Sequence, residues 1–247
     1  MGILWESHQN GTYYSVRSAG GSVRLYSNGV FHSQWNPKRP FAGAVWDCLT
    51  LPALYQHPDK VKRVLLLGLG GGAGVRQLQT MLGFQKLVAI EIDPVHITIA
   101  RDWFGVSASN IDVVEANAID WVKSYRGAGF DLVIDDIFGH CNSEAMRAQP
   151  LTAEWLKNLK RSLRPDGTLV VNCISRRELR NALPNAKKAG FRRGFRWSLP
   201  EYDNAIGVFV QREVRGSDWS AHLDSTGLSR AVKRAARQVI RRPIDFG

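Results

Sequence analysis

The sequence predicts an α/β protein in which a small N-terminal β-hairpin region precedes a mostly parallel sheet with helices on both faces. The first observation is a short apolar run at residues 64–67, followed by a glycine-rich turn and a stretch with helical spacing. The second is another apolar run that ends at Glu91. The third is the return of strand-like segments at residues 110–122, 130–139 and 163–173. Strands that alternate with helices build parallel sheets, because each crossover returns the chain to the same end of the sheet.

The N-terminal part precedes this alternation. Residues 12–35 contain short alternating stretches separated by the turn signals AGG and SNG, which predict a small antiparallel hairpin region. Residues 41–57 carry an apolar face with helical spacing, and Pro52 predicts a kink because proline has no backbone N–H to donate. These patterns divide the chain into an N-terminal strand region with a lead-in helix (1–57), a cofactor-binding core (58–214) and a basic C-terminal extension (215–247).

The glycine-rich turn after the first core strand indicates a nucleotide-type pocket. Five glycines between residues 68 and 74 free the turn from side-chain clashes, so the main chain can approach a ligand closely. Glu91 follows roughly 20 residues later, where a carboxylate can accept hydrogen bonds from both hydroxyls of a ribose. The turn lacks a clean G-x-G-x-x-G frame from Gly68, which separates it from the dinucleotide pattern. The spacing predicts an adenosine-containing cofactor; the alternative is a tight connection without a ligand.

A series of motifs then extends the pattern along the chain. GLGGG, EIDP, EANA, DLVIDD and LTAEWLKNLKRSLRPDGTLVV follow one another, and RLYSNGVFHSQW and WDCLTLPALYQHPDKVKRVLLLG precede them. In this order the motifs resemble the spermidine synthase-like branch of the class I S-adenosylmethionine-dependent transferases, over about residues 20–175. The resemblance implies a Rossmann-like class I methyltransferase fold, S-adenosylmethionine or its decarboxylated form as the cofactor, and a homodimer joined through the N-terminal strands and lead-in helix.

The resemblance also implies a set of cofactor-binding residues. They are the glycines of the turn, the ribose-binding acid, the adenine-binding loop and the acid that ends DLVIDD: Gly68, Gly70, Gly72, Glu91, Asn117, Ala118 and Asp136. The family usually has Asp at the position of Asn117, but the carbonyl oxygen of Asn can still accept from an amino group. Asp93, immediately before Pro94, is interpreted instead as a structural helix N-cap.

Candidate catalytic groups lie in DLVIDD and in the N-terminal strands. Asp136 aligns with the family's catalytic acid, which helps to position and deprotonate an attacking amine and also lies near the cofactor sulfonium. Asp135 falls on a variable position and is expected on the opposite face of the sheet, because adjacent strand residues alternate. His32 and His140 are candidate general bases, since neutral imidazole accepts a proton near pH 7. The alternative for Asp136 is an acid that caps a loop.

The acceptor half departs from the polyamine-synthase pattern. Those enzymes carry a second acid three residues after the catalytic one, whereas this sequence has Gly139. A diamine needs acidic partners at both ends, so aminopropyl transfer to putrescine is disfavoured. Four aromatic residues are candidates either for an acceptor cavity or for ordinary core packing: Trp35, Phe41, Trp46 and Phe138.

These departures favour an S-adenosylmethionine-dependent methyltransferase that acts on a small-molecule acceptor, because methyl transfer needs only an aligned nucleophile and a positioned sulfonium. Gly71 stands where polyamine synthases carry an acid that avoids the cofactor carboxylate, which favours the intact cofactor. One alternative is an aminopropyltransferase with an altered acceptor that uses decarboxylated S-adenosylmethionine. The other is a non-catalytic protein of the same fold that holds an acidic partner.

The formal net charge of +11 is concentrated late in the chain. Residues 229–243 are predicted to form an amphipathic helix with these apolar positions on one side: Val232, Ala235, Ala236, Val239 and Ile240. Such a run is interpreted either as a solvated face or as a site for an acidic partner.

Three widely spaced cysteines, Cys48, Cys141 and Cys173, form no C-x-x-C pair, which predicts neither a disulfide framework nor a zinc site. We expect a cytoplasmic protein without a leader or membrane span, because no apolar run reaches 18 residues.

Overall fold

The computed structural model of the chain describes residues 2–141 and 144–246, and of residues 140, 141, 144 and 145 it describes the backbone alone. The N-terminal region is a four-stranded antiparallel sheet of β1 (Gly2–Gln9), β2 (Thr12–Ala19), β3 (Ser22–Ser27) and β4 (Val30–Trp35). Asn10 and Asn28 have φ angles of 51° and 48° in two of its turns, a conformation that Asn tolerates better than most residues. The prediction from residue 12 onward missed β1, whose mostly exposed side chains carry no clear alternation.

The lead-in helix is shorter than predicted. It comprises α1 (Val45–Thr50), continues as a 3₁₀-helix at Leu51–Tyr55 and is followed by a second 3₁₀-helix at Pro58–Lys60. The change from α-helix to 3₁₀-helix falls at Pro52, where the missing N–H removes a helical hydrogen bond. The α-helix thus ends just before Pro52, and it begins at Val45 and not at residue 41. Gly43, in the intervening loop, has a φ angle of 78° that no helix allows.

The remaining elements form the main unit. Its first half contains β5 (Arg63–Leu67), α2 (Ala73–Met81), β6 (Lys86–Glu91), α3 (Pro94–Asp102), β7 (Ile111–Glu115), α4 (Ala118–Ser124) and β8 (Phe130–Asp135). Its second half contains β9 (Phe138–Cys141), β10 (Glu144–Arg147), α5 (Ala153–Arg161), β11 (Leu163–Cys173), α6 (Arg176–Lys188), β12 (Arg193–Ser198), β13 (Ala205–Val210), α7 (Gly216–Ser225), α8 (Arg230–Ala236) and β14 (Ile240–Pro243). Across the described ranges, no helix combines the length and apolar content that a membrane span requires.

The main sheet has eight strands in the order β14-β12-β13-β11-β8-β5-β6-β7. The five strands from β11 to β7 are parallel, and β13, β12 and β14 are added in antiparallel fashion. The chain order reverses between β5 and β8, and open α/β sheets bind ligands at such a point, outside the carboxyl ends of the strands. The predicted α/β class, with a mostly parallel sheet after an N-terminal antiparallel region, is confirmed.

Both faces of the main sheet are covered, as parallel sheets require. All six residues of β8 are buried. On one face the fully buried Trp197 and Trp219 pack edge to face, and the Trp219 Nε1–H donates to Leu51 O at 2.8 Å. This bond joins α7 to the 3₁₀-helix that continues α1. Trp155 of α5 is buried on the other face.

The C-terminal extension joins the main sheet. The predicted helix over residues 229–243 exists only as α8, because residues 240–243 instead form β14, which pairs antiparallel with residues 195–198 of β12. Of the predicted apolar side, Ala236 and Val239 are buried, and Val232, Ala235 and Ile240 are partly buried. Ile240 is β-branched and Pro243 cannot donate a hydrogen bond, so this segment suits an edge strand better than the end of a helix.

Candidate functional site

A cavity of about 550 Å³ opens at the carboxyl edge of the sheet, within the size range of pockets that bind small molecules. Its walls come from the glycine turn, the ends of β6 and β8, the start of α4, β4 and α1. Seven of the predicted site residues line it: His32, Gly68, Gly70, Glu91, Asn117, Ala118 and Asp136. Gly72 is the predicted site residue that does not.

Gly68 brings the end of β5 against the end of β8. Its φ angle is 85°, and a Cβ placed on it would lie 2.3 Å from the carbonyl oxygen of Asp136. Its N–H donates to Ile90 O at 2.9 Å, and the N–H of Asp136 donates to Leu67 O at 2.9 Å. Only glycine satisfies both the left-handed conformation and this close approach.

Gly71 and Gly72 of the turn are required by packing. A Cβ on Gly72, the N-cap of α2, would lie 2.5 Å from Val106 Cγ2. A Cβ on Gly71 would lie 2.8 Å from both Phe104 Cζ and Ser33 Cβ, and its N–H donates to Ser33 Oγ at 2.9 Å. Neither glycine lines the cavity. The position at which polyamine synthases carry an acid therefore has no room here for a larger side chain.

Glu91 joins the glycine turn to the end of β6. Its Oε2 accepts from the N–H groups of Leu69 and Gly70 at 2.9 and 3.0 Å, and its Oε1 accepts from those of Ile92 and Asp93 at 2.9 and 3.0 Å. A carboxylate offers about four acceptor positions, so all of them are in use. A ribose that reaches Glu91 has to share these acceptors with the main chain.

The adenine-binding loop predicted from EANA starts α4. Asn117 is its N-cap, and its Oδ1 accepts from the N–H groups of Ile119 and Asp120 at 2.8 and 3.4 Å. Capping thus engages the oxygen that was predicted to meet an adenine amino group, although the residue and Ala118 both line the cavity. Ile92 lies at the same end of the cavity with 66% of its side chain exposed, an apolar surface that a flat ligand would cover.

Asp136 lies at the end of a chain of amides. Its Oδ1 accepts from Asn172 Nδ2 at 2.7 Å, and the Oδ1 of Asn172 accepts from Asn204 Nδ2 at 2.9 Å. All three residues line the cavity. Burial raises the pKa of Asp136 to about 7; the Asn172 hydrogen bond opposes this rise, and the charge of Asp135 adds to it. Asp136 therefore exchanges a proton near neutral pH.

Asp135 lies on the other face of the sheet. It is fully buried, and its Oδ2 accepts from Arg147 Nη2 at 2.6 Å and from Trp155 Nε1 at 2.8 Å. The alternation of strand side chains separates the two acids, as the sequence predicted. Asp135 is a structural ion-pair residue, and Asp136 is the acid that meets the cavity.

His32 lies beside a polar cluster between the N-terminal sheet and α3. Its ring centroid is 5.0 Å from that of His96, whose Nε2 lies 2.8 Å from Ser27 Oγ. Asp93 caps α3 by accepting from Val95 N–H at 2.8 Å, and it also accepts from Tyr14 O–H at 2.8 Å. The cluster attaches the N-terminal sheet to the start of α3 at the cavity wall, which Asp93 and His96 line. The side chain of His140, the other candidate base, lies outside the described part of the chain.

Aromatic side chains line the opposite half of the cavity. Trp46 and Phe138 do so as predicted candidates, and Phe31 and Tyr202 join them. The other two candidates, Trp35 and Phe41, belong to the buried core. Sequence reasoning missed Tyr202 and Asn204, in the loop between β12 and β13, because no motif marks that loop. The signal for Asn172 was its place at the end of the apolar run LVV.

Comparison with known proteins agrees with this architecture. Residues 64–167 match a family described as a methyltransferase domain. The polyamine aminopropyltransferase of Chromobacterium violaceum is 32% identical over 116 residues, which cover 46% of this chain and 43% of the relative. The eEF1A lysine and N-terminal methyltransferase homolog of Drosophila melanogaster is 31% identical over 196 residues, or 74% of this chain and 29% of the relative. The chain thus spans less than half the length of either relative.

Among solved structures, a probable spermidine synthase from Corynebacterium glutamicum superposes with a TM-score of 0.74 at 17% identity, covering 98% of this chain and 91% of that one. The fold is therefore that of the class I S-adenosylmethionine-dependent transferases. Within that class, the chain has the spermidine synthase-like form, with an N-terminal antiparallel sheet before the core.

Proposed function

We propose that the protein is an S-adenosylmethionine-dependent methyltransferase that acts on a small-molecule acceptor. The observation that carries the proposal is how few carboxylates in the cavity are available to an acceptor. The described lining contains three: Glu91, Asp93 and Asp136. Glu91 accepts four main-chain hydrogen bonds, and Asp93 accepts one from Val95 N–H and one from Tyr14 O–H. Asp136 alone remains to meet an acceptor amine, which argues against a diamine substrate.

Gly139 is a second feature of the cavity that argues against a diamine substrate. It stands three residues after Asp136, where the resembled polyamine synthases carry their second acid, and it lines the cavity. A Cβ placed on it would meet no described residue within 4 Å. The space for a second acid is therefore present, and the acid is not. An acceptor with one reacting group fits this arrangement better than one with a cation at each end.

The residues of the other half fit S-adenosylmethionine. Gly68 and Gly70 leave the main chain uncovered at the turn, and Glu91 brings its carboxylate to the cavity wall. Ile92 and Ile119 offer apolar surface for a flat base at the Asn117 end. The bound cofactor would supply a methyl group activated by its sulfonium. In this proposal the cofactor is held by the glycine turn, Glu91, Asn117 and Ala118. They orient its methyl group, which is the positioning that methyl transfer requires.

Asp136 is the proposed proton acceptor. With a pKa of about 7 it is protonated in part at neutral pH, and its charged form can take a proton from an acceptor nitrogen or oxygen as that atom is methylated. Asn172 and Asn204 fix the orientation of its carboxylate. The aromatic side chains of Phe31, Trp46, Phe138 and Tyr202 favour an acceptor with a substantial apolar or flat portion. His32 stays a candidate for a second base at the cavity wall.

Aminopropyl transfer is the second candidate function. It is favoured by the similarity to a polyamine aminopropyltransferase and by the spermidine synthase-like fold. It would use decarboxylated S-adenosylmethionine as the donor. Its acceptor would be an amine that does not require a carboxylate at each end. The two candidates differ in which form of the cofactor binds, because the decarboxylated form lacks the methionine carboxylate.

Calorimetric titration of the purified protein separates these candidates. The ligands are S-adenosylmethionine and S-adenosylhomocysteine on one side, and decarboxylated S-adenosylmethionine and methylthioadenosine on the other. We expect the carboxylated pair to bind more tightly. Preference for the other pair would replace methyl transfer by aminopropyl transfer. Absence of binding by all four, in protein shown to be folded, would leave the non-catalytic alternative.

A further inference from the structure

Four arginines from three elements converge on the face of the main sheet that α6 covers. Arg196 of β12 and Arg242 of β14 are cross-strand partners, so their side chains leave the sheet on the same face. Arg176 and Arg180 are four positions apart in α6 and therefore share one side of that helix. Arg196 is also the register partner of Gly207, where an added Cβ would lie 2.8 Å from Leu179 Cδ1 of α6, so Arg196 leaves the sheet on the face that this helix covers. The four arginines therefore form one group on this face. We call it the arginine cluster.

In the described part of the chain, the cluster arginines lack the carboxylate partners that a few other arginines have. Arg147 pairs with Asp135, Arg164 with Asp131, and Arg193 with Glu213. In residues 2–141 and 144–246, none of the four cluster arginines forms an ion pair. The Nε of Arg196 is buried without a hydrogen-bond partner. Burial lowers the pKa of Arg196, and the charges of Arg176, Arg242 and Arg180 lower it further.

A second basic group in the C-terminal extension provides a contrast. Lys233 Nζ donates to Asp224 O at 2.7 Å, and Arg237 Nη2 pairs with Asp224 Oδ1 at 2.6 Å. That group contains its own acidic partner, whereas the arginine cluster is held by two paired strands and a helix without one. Like charges fixed in this way repel each other and leave a buried donor unsatisfied, so a bound anion would relieve both costs.

We propose that the arginine cluster binds a phosphate group. Guanidinium groups present paired N–H donors that match phosphate oxygens, and four of them can neutralise a doubly charged group. Arg176 follows Asn172, a cavity residue, by four positions, so the site lies on the segment that leaves the cavity edge. The phosphate group belongs either to a small phosphate ester or to a nucleic acid backbone, and the experiment below distinguishes the two sources.

The test is calorimetric titration of the full chain with pyrophosphate at constant ionic strength. The variant Arg176→Gln/Arg180→Gln removes two donors from exposed helix positions. The matched control Arg230→Gln/Arg234→Gln removes the same charge from exposed positions of α8. We expect the cluster variant to bind about tenfold or more weakly, as the loss of charge-assisted hydrogen bonds predicts, and the control to bind within about twofold of the unchanged protein. Equal weakening of the two variants, or no binding by the unchanged protein, would overturn the proposal.

Thermal unfolding shows whether the variants remain folded. In chloride buffer, the cluster variant should melt at the same or a higher temperature, because repulsion has been removed; in phosphate buffer, it should lose the rise that the unchanged protein shows. A stabilising effect of phosphate that survives in the cluster variant would contradict the assignment.

Titration with a single-stranded RNA oligomer then assigns the source. Tighter binding than pyrophosphate, with a steep loss on raising the salt concentration and with dependence on the cluster, indicates a nucleic acid backbone. Pyrophosphate binding without such a gain indicates a small phosphate ester. If the affinity for RNA exceeds that for pyrophosphate equally in the cluster variant and in the control, the cluster is not the RNA site.

Discussion

Asp135 and Asp136 are adjacent in the chain but face different surroundings. Asp135 is enclosed by Arg147 and Trp155 on one side of the sheet, and Asp136 meets Asn172 and the cavity on the other. The Asp135 carboxylate pairs with a guanidinium, whereas burial raises the pKa of Asp136 to about 7. Separation of this kind lets one strand end supply both a structural ion pair and the proposed proton acceptor.

Asp136 should give the transfer reaction a pH dependence centred near neutrality. Because burial raises its pKa to about 7, the carboxylate that accepts a proton is lost as the pH falls below that value. We expect kcat/KM to rise with pH and level off above pH 7. The measurement is a pH profile of the unchanged protein and of Asp136→Asn, which should lack this limb and lose roughly 100-fold or more in rate. A limb that persists in Asp136→Asn would assign the titration to another group.

The same pKa predicts how this acid affects stability. Its folded pKa lies above the ordinary aspartate value of about 4, so the folded state binds the proton more tightly than the unfolded chain does. The contribution of Asp136 to stability is therefore complete below about pH 4 and declines as the pH rises toward 7. Denaturation of Asp136→Asn should show a smaller decline over this interval.

Asn172 should tune the pH dependence. Its hydrogen bond stabilises the charged form of Asp136 and lowers the pKa, so Asn172→Ala should move the limb of the profile to higher pH. Asn204→Ala is the matched control, because Asn204 bonds to Asn172 and not to the carboxylate. A shift of the profile to lower pH in Asn172→Ala would contradict this account.

Asp135→Asn should destabilise the fold. The side chains of Asp135 and Arg147 are 0% and 3% exposed, and breaking a buried pair leaves one charge uncompensated. The expected loss is about 3–5 kcal/mol in the free energy of unfolding, measured by urea denaturation. Arg193→Gln, which breaks the exposed pair with Glu213, should cost at most about 1 kcal/mol. Similar losses in both variants would show that burial of the pair has no special effect.

Glu91→Gln should weaken S-adenosylmethionine binding about tenfold or more, because the amide can no longer accept all four main-chain hydrogen bonds that shape the turn. Glu115→Gln is a close control, since Glu115 is the exposed register partner of Glu91 on β7. Calorimetric titration gives both dissociation constants, and Asp136→Asn should retain affinity. If Asp136→Asn loses as much affinity as Glu91→Gln, Asp136 is a cofactor ligand.

The cofactor half of the fold could be predicted from the sequence because its signals are local. The apolar runs of β5 and β6, the glycines between them and the acid at Glu91 lie within 28 residues of one another. Close approach of chains then requires glycine at Gly68, as the turn geometry explains. The role of Gly72 was harder to predict. A glycine that is needed for packing against Val106 cannot be distinguished, from the sequence alone, from one that is needed for ligand binding.

Features that depend on distant partners were not predictable in this way. Residues 240–243 form a strand because β12 offers an unpaired edge, which the local helical spacing does not encode. Trp35 and Trp46 are both buried in the core, and only the packed structure shows that Trp46 also lines the cavity. Tyr202 and Asn204 reach the cavity from a loop without a motif. The acceptor half was therefore less well predicted than the cofactor half.

Gly139→Asp tests whether the acceptor half lacks a diamine site because it lacks one carboxylate. The substitution should fold normally, because a Cβ at this position meets nothing within 4 Å in the described part of the chain. The new carboxylate would share the cavity with Asp136, so a diamine such as putrescine would have an acid for each ammonium group. We expect no measurable diamine binding by the unchanged protein and binding by the variant at least about tenfold tighter than by Gly139→Asn, the neutral control of similar shape. Putrescine binding that is equally tight in the unchanged protein would show that one acid suffices, and would favour aminopropyl transfer.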